Sequence, residues 1–256
     1  MGKIIACSIY KGGTGKTTTA VNLASALADK GKKVLLVDMD QQASSTRYVG
    51  VDPDQVNPTL YHVFLNQVPA SLVIRNTAFG FDVVPSTSLM AAIEQSMESD
   101  KDETLLRGIL APLKDSCDYI IVDSPPGKAM LAFNAILSAD CLLVPVSAER
   151  MAIDGLSDLL KHIQDVFWHK FREETADQDI KVLFTMYKAG TSHSPGVVDA
   201  ARRIYGENVL DVLIPESVEF PRSFDKRMPI TFMSPKHPGA KAYRDLADWI
   251  INNWKV

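Results

Sequence analysis

Seven short apolar runs punctuate the chain: Ile4–Ile9, Val34–Val37, Phe81–Val84, Tyr119–Val122, Cys141–Val146, Val182–Met186 and Val209–Ile214. Several are continuous rather than alternating, the pattern of strands buried on both faces. Between them, segments of helical length and composition predict helices over Lys16–Lys30, Glu103–Ser116, Lys128–Ser138, Asp154–Phe171, Val197–Tyr205 and Ala240–Trp254. Alternation of this kind predicts a mostly parallel, twisted α/β sheet with helices on both faces. No linker rich in Pro, Gly or Ser divides the 256 residues, and no internal repeat is visible, so one domain over 1–256 is expected.

Composition removes several classes. The hydrophobic fraction of 46% and charged fraction of 23% are those of a globular chain. Cys7, Cys117 and Cys141 are odd in number, far apart and without a C-x-x-C pair, which predicts neither a disulfide framework nor a metal cluster. The first apolar run is too short for a signal or a membrane span, and no 18-residue apolar stretch follows, so a cytoplasmic protein is expected. The net charge of −4 argues against a dedicated basic nucleic-acid binder. That average hides an asymmetry: residues 181–256 hold 11 Lys or Arg against 8 Asp or Glu, whereas residues 1–180 hold 16 against 23.

The most informative stretch runs from Tyr10 to Thr18, Y-K-G-G-T-G-K-T-T, between a strand and a helix. Gly12, Gly13 and Gly15 let backbone N–H groups, with those of Lys11 and Thr14, close around a phosphate, and the following helix adds the positive end of its dipole. Lys16 would reach the β- and γ-phosphates, Thr17 would ligate Mg²⁺, and Thr18 completes the loop. The strict pattern G-x-x-x-x-G-K-[ST] fails at its first position, which is Tyr10, and a lysine stands beside the first glycine instead. Two further strands end in acids: Val34–Val37 in Asp38-Met39-Asp40, and Tyr119–Val122 in Asp123-Ser124-Pro125-Pro126-Gly127. In a doubly wound sheet, ligands bind at those strand ends. An Asp there can receive a Mg²⁺-bound water. No Asn-Lys-x-Asp motif occurs, which favours ATP over GTP.

Lys11-Gly12-Gly13-Thr14-Gly15-Lys16-Thr17 resembles the deviant Walker A loop of the ParA/MinD ATPases. The resemblance implies a nucleotide-sandwich homodimer in which Lys11 reaches the partner's phosphates. It also implies ATP hydrolysis with Asp40 orienting water and with Asp38, Thr17 and Asp123 on the metal side. Two departures are visible in the Asp40 loop, Gln41 for a usual Pro and Ala43 for a common Gly. Leu142–Val146 with Ala152–Leu156, Phe184–Tyr187 and Ile214-Pro215 extend the similarity, and Met186 and Pro215 are the candidates for contacts with the base.

Short ParA proteins bind DNA nonspecifically as ATP dimers and answer to a ParB-like or cargo-adaptor protein. Candidates for a DNA face are Lys188, Arg202, Arg203, Arg222, Lys226, Arg227, Lys236, Lys241 and Arg244. Glu216 stands where many relatives carry Arg. Three alternatives remain open. A MinD-like membrane switch would need a basic amphipathic tail, but Lys241–Val256 mixes Asp245 and Asp248 with Lys241, Arg244 and Lys255, the composition of a helix docked on the core. A metallocluster carrier would need paired cysteines. A small-molecule kinase or amidoligase on the same fold would not need Lys11 or the Asp40 loop. The five histidines show no ligand spacing, and Trp168, Trp249 and Trp254 are expected in the core.

Overall fold

Each expected strand forms in the computed structural model, which describes residues 1–97, 104–127, 130–148 and 179–255. The expected helix Asp154–Phe171, the Ala152–Leu156 match, Trp168, His162 and His169 lie outside those residues, as do Glu103, Lys128 and Ala129 at two helix starts. The strands are β1 (Lys3–Cys7), β2 (Val34–Asp38), β3 (Arg75–Asn76), β4 (Asp82–Val84), β5 (Tyr119–Asp123), β6 (Cys141–Ser147), β7 (Asp179–Tyr187) and β8 (Val209–Pro215). They make one eight-stranded sheet in the order β3-β4-β2-β5-β1-β6-β7-β8. All neighbours are parallel except β3, which pairs antiparallel with β4 at the edge.

The described helices are α1 (Lys16–Asp29), α2 (Ser44–Tyr48), α3 (Leu60–Phe64), α4 (Met90–Ser96), α5 (Leu105–Leu110), α6 (Met130–Ser138), α7 (His193–Tyr205), α8 (Glu219–Asp225), α9 (Ile230–Met233) and α10 (Pro238–Asn253). They divide between the two sheet faces. Ile4, Ala6, Leu35, Val37, Ile120 and Val122 point to the side of α3 to α7, and Ile5, Cys7, Leu36, Tyr119 and Ile121 to that of α1, α2, α9 and α10. Neighbouring residues thus serve opposite cores, which is why these runs show no alternation.

The register brings the chemistry together. Cys7 at the end of β1 and Asp38 at the end of β2 both sit opposite Asp123 at the end of β5. The loop after β1 and two acidic strand ends therefore share one edge of three adjacent strands.

The last helix docks as its mixed charge predicts. On α10, Ala242, Tyr243, Leu246, Ala247 and Ile250 are buried against the α1 side of the core. Lys30 bridges to Asp248 at 2.7 Å, and Trp254 donates its indole N–H to Asp179 at 2.7 Å. An apolar face spent on the core is not available to a bilayer. No helix among the described residues is long and apolar enough to cross a membrane. The three cysteines are free, with Cys7 and Cys141 buried.

Candidate functional site

Gly15 ends the loop and starts α1 in a left-handed conformation, φ +88°, and Gly13 has φ +71°. Side chains rarely adopt these angles, so the two glycines turn the loop sharply enough to open onto the helix N-terminus. Thr185, at the end of β7, pins this turn by donating to the Thr14 carbonyl at 2.8 Å. Tyr10, in the place of the usual first glycine, is half-buried against Phe133, and its carbonyl accepts from Gly127 N–H at 2.8 Å. The phosphate loop is thereby tied to the segment after Asp123.

Lys16 is 7% exposed, with Nζ 3.2 Å from the Lys11 carbonyl. Burial lowers its pKa, and the charges of Asp123 and Asp40 pull it back up. Lys11 and Gly12 are exposed at the loop's tip, and a side chain at Gly12 would meet nothing within 4 Å. Asp123 is fully buried. Its Oδ2 accepts from Ser45 at 2.6 Å, Thr17 also donates to its carboxylate, and Oδ1 has no hydrogen-bond partner among the described residues. Burial raises this carboxyl, and the charge of Asp40 raises it further.

Asp38 turns out differently. Its Oδ1 accepts from Asp40 N–H at 3.1 Å, and its Oδ2 accepts from Thr46 N–H at 2.8 Å and Thr46 Oγ1 at 2.7 Å. Burial and the neighbouring Asp123 charge push the Asp38 carboxyl up. Expected on the metal side, it braces the Asp40 loop through both oxygens, and Thr17 and Asp123 meet beside it. Asp40 is 9% exposed. Its Oδ1 accepts from Gln42 N–H at 2.9 Å, and its pKa is raised by burial. Ala43 has φ +51°, the left-handed region, which explains why Gly is common there.

An orphaned buried carboxylate oxygen, a buried lysine and a glycine-built amide loop fit a Mg²⁺–triphosphate. Among the described residues no cluster of three or more His, Cys, Asp or Glu could cage a metal. Mg²⁺ needs none, since phosphates and waters fill most of its coordination.

Beside the loop lies a cavity of about 420 Å³ lined by Gly15, Thr17, Thr18, Met186, Pro215 and Phe220 among others. Both expected base contacts, Met186 and Pro215, are there. Met186 has φ +53° in an irregular stretch of the β7–β8 pairing. Sequence reasoning missed the far wall, Phe220, Pro221 and Phe224 on α8. Two aromatics at i and i+4 were the available signal.

That wall is anchored to α1 through buried polar groups. Asn22 accepts from Ile230 N–H at 2.7 Å and donates to Tyr48 at 3.3 Å, and the Tyr48 hydroxyl bonds Ser223 on α8. Asn22→Ala would orphan the Ile230 N–H and remove both links. We expect a loss of about 3 kcal/mol, checked by urea unfolding.

The basic residues do not form one face. Arg202 and Arg203 lie on α7, whose buried side packs on one sheet face, whereas Arg222, Lys226, Arg227 and Lys236 follow β8 around α8 and α9 on the other. Lys188 bridges to Glu216 at 2.9 Å, Arg202 to Asp211 at 3.0 Å and Arg222 to Glu219 at 2.6 Å. Lys241 is held by Asp245, and Arg244 bonds the Pro235 and Thr231 carbonyls. Arg203, Lys226, Arg227 and Lys236 are exposed and form no ion pair among the described residues.

A family model described as an AAA domain matches residues 2–175. The sporulation initiation inhibitor protein Soj of Bacillus subtilis is 34% identical over 99% of this chain and 100% of its own length. The chromosome partitioning protein ParA of Myxococcus xanthus is 34% identical over 95% of this chain and 86% of its own. The chain belongs to the ParA/MinD family of P-loop ATPases. Among solved structures, cobyrinic acid a,c-diamide synthase from Mycobacterium smegmatis with bound ADP and magnesium superposes with TM-score 0.85 at 30% identity, covering 100% of this chain and 96% of that one. The ParA/MinD fold is therefore shared with chains whose names point to different chemistry, and the site residues must decide among them.

Proposed function

We propose that residues 1–256 form one ParA-type ATPase unit, a Mg²⁺-dependent switch that positions DNA or a large cargo. The observation carrying this reading is the meeting of Lys16, Asp40 and Asp123 at one strand edge, with Lys11 exposed above them. Residues 11–18 bind the triphosphate. Thr17 and Asp123 hold Mg²⁺, which neutralises phosphate charge when bound, and Met186 and Pro215 flank adenine. Lys16 and the loop amides stabilise negative charge on the transferring phosphoryl group, and Asp40 orients the attacking water. The synthase name stays with the neighbour; the exposed Lys11 and the braced Asp40 loop favour a switch.

ATP favours a homodimer in which Lys11 completes the partner's site, and hydrolysis releases it. A ParB-like or cargo-adaptor protein stimulates that step. The ATP dimer binds DNA nonspecifically in the cytoplasm, on the nucleoid, through Lys226, Arg227 and Lys236, exposed and unbridged on one side of the sheet, rather than through all nine cations first expected. The test is size-exclusion and DNA pelleting with ATP, ADP and a nonhydrolysable analogue at two salt concentrations. We expect an ATP-specific dimer and ATP-specific pelleting that weakens with salt. A monomer with every nucleotide overturns the switch. An ATP dimer that leaves DNA in solution overturns only the DNA arm.

A further inference from the structure

Ser86 and Glu94 belong to one stretch, β4 into α4, that the sequence left without a role. Ser86 is fully buried and holds the Asp40 loop twice. Its Oγ donates to the Asp40 carbonyl at 2.7 Å, and its N–H donates to Thr46 Oγ1 at 3.0 Å, the same hydroxyl that serves Asp38. Two turns of chain later, Glu94 reaches the other loop. Its Oε1 accepts from Met130 N–H at 2.5 Å and its Oε2 from Leu131 N–H at 2.9 Å, the first turn of α6. Those donors have no partner within their own helix, so a carboxylate from α4 caps α6 from outside. On one side of Asp123, Gly127 carries the tie to the phosphate loop, and Met130 and Leu131 take that cap.

We propose that Ser86 and Glu94 are positioning residues for hydrolysis. By gripping the Asp40 loop and the start of α6 from one short element, they make the water-orienting carboxylate and the segment after Asp123 move as a unit. Met90 and Ile93, both buried in the core between them, make α4 a rigid connector. Neither residue touches substrate; each acts by fixing a loop that does. The inference rests on the ATPase reading for its kinetic consequence and on the structure alone for its mechanical one.

The experiment has two arms, each on the full chain. In the nucleotide-free protein, hydrogen–deuterium exchange is followed in peptides covering 123–138 and 40–48. Glu94→Ala is expected to accelerate both by about tenfold and leave α10 unchanged, with Glu94→Gln, which keeps one acceptor oxygen, falling between. In the second arm, kcat for ATP falls about tenfold in Glu94→Ala and in Ser86→Ala, while the Kd for a fluorescent ATP analogue stays within about twofold, and Glu94→Gln restores part of the rate. Faster exchange at 123–138 alone overturns the coupling. So does an unchanged kcat, or a kcat that falls in step with nucleotide affinity. Should the parent chain hydrolyse no ATP, the ATPase reading fails, and the exchange arm still decides the brace.

Discussion

Lys16→Ala abolishes ATP binding, with affinity falling at least about 100-fold in calorimetry or with a fluorescent analogue. The argument begins with where the ammonium sits. Lys16 is 7% exposed and lies between the charges of Asp123 and Asp40, so it is the buried cation standing against two buried carboxylates. A triphosphate brings more negative charge into the same space, and without Lys16 no buried ammonium offsets the repulsion from Asp123 and Asp40. Lys16→Gln keeps the length but not the charge and is expected to fail equally. Binding of the alanine variant within about tenfold of the parent would mean that the loop amides alone hold the phosphates, and the assignment of Lys16 would be wrong.

Asp40→Ala separates binding from turnover. Among the described residues Asp40 makes no hydrogen bond to the phosphate loop; its Oδ1 is held by Gln42 N–H, and its backbone is clamped by Asp38 and Ser86. Removing the carboxylate therefore leaves the loop's supports in place, and nucleotide affinity should stay within about threefold. Hydrolysis should fall by roughly 10²- to 10⁴-fold, the range for a lost general base or water-orienting group. The ATP dimer should then persist for as long as ATP is present, read by size-exclusion. Burial raises the Asp40 carboxyl in the nucleotide-free protein, so the acidic limb of kcat/KM in the parent lies above the ordinary aspartate value of about 4. A variant that turns ATP over at the parental rate would remove Asp40 from the mechanism.

How much of this was legible beforehand follows from what each element needs. The long parallel strands announce themselves because both faces are covered, and an uninterrupted apolar run such as Tyr119–Val122 has few other fates. The phosphate loop is legible because glycine spacing and lysine placement are local requirements. Elements held by distant partners are silent. The strand β3 is the polar pair Arg75-Asn76, and the short α8 is tied down by the Tyr48–Ser223 bond across 175 residues. Asp38 and Asp123 end similar apolar runs, and only the tertiary positions of Thr46 and Asp40 N–H separate a brace from a metal-side acid. The cations divide between two sides of the sheet for the same reason. Their charge is in the sequence, but which acid each one faces, and on which side of the sheet, is a property of the fold.

The polar outer side of α1 carries one more implication, for the order in which the molecule is made. Asn22, Thr19 and Ser25 find their partners at Tyr48, Ile230, Tyr243 and Thr231, up to 224 residues downstream. During synthesis the phosphate-loop helix emerges early, yet Thr19, Ser25 and the Asn22 carbonyl meet these partners only once residues 230–243 have been made. Contacts that distant in sequence form slowly, because the intervening chain must be closed first. Nucleotide competence is thus a late event in biogenesis, reached only when the C-terminal helices close over a helix translated more than 200 residues before them.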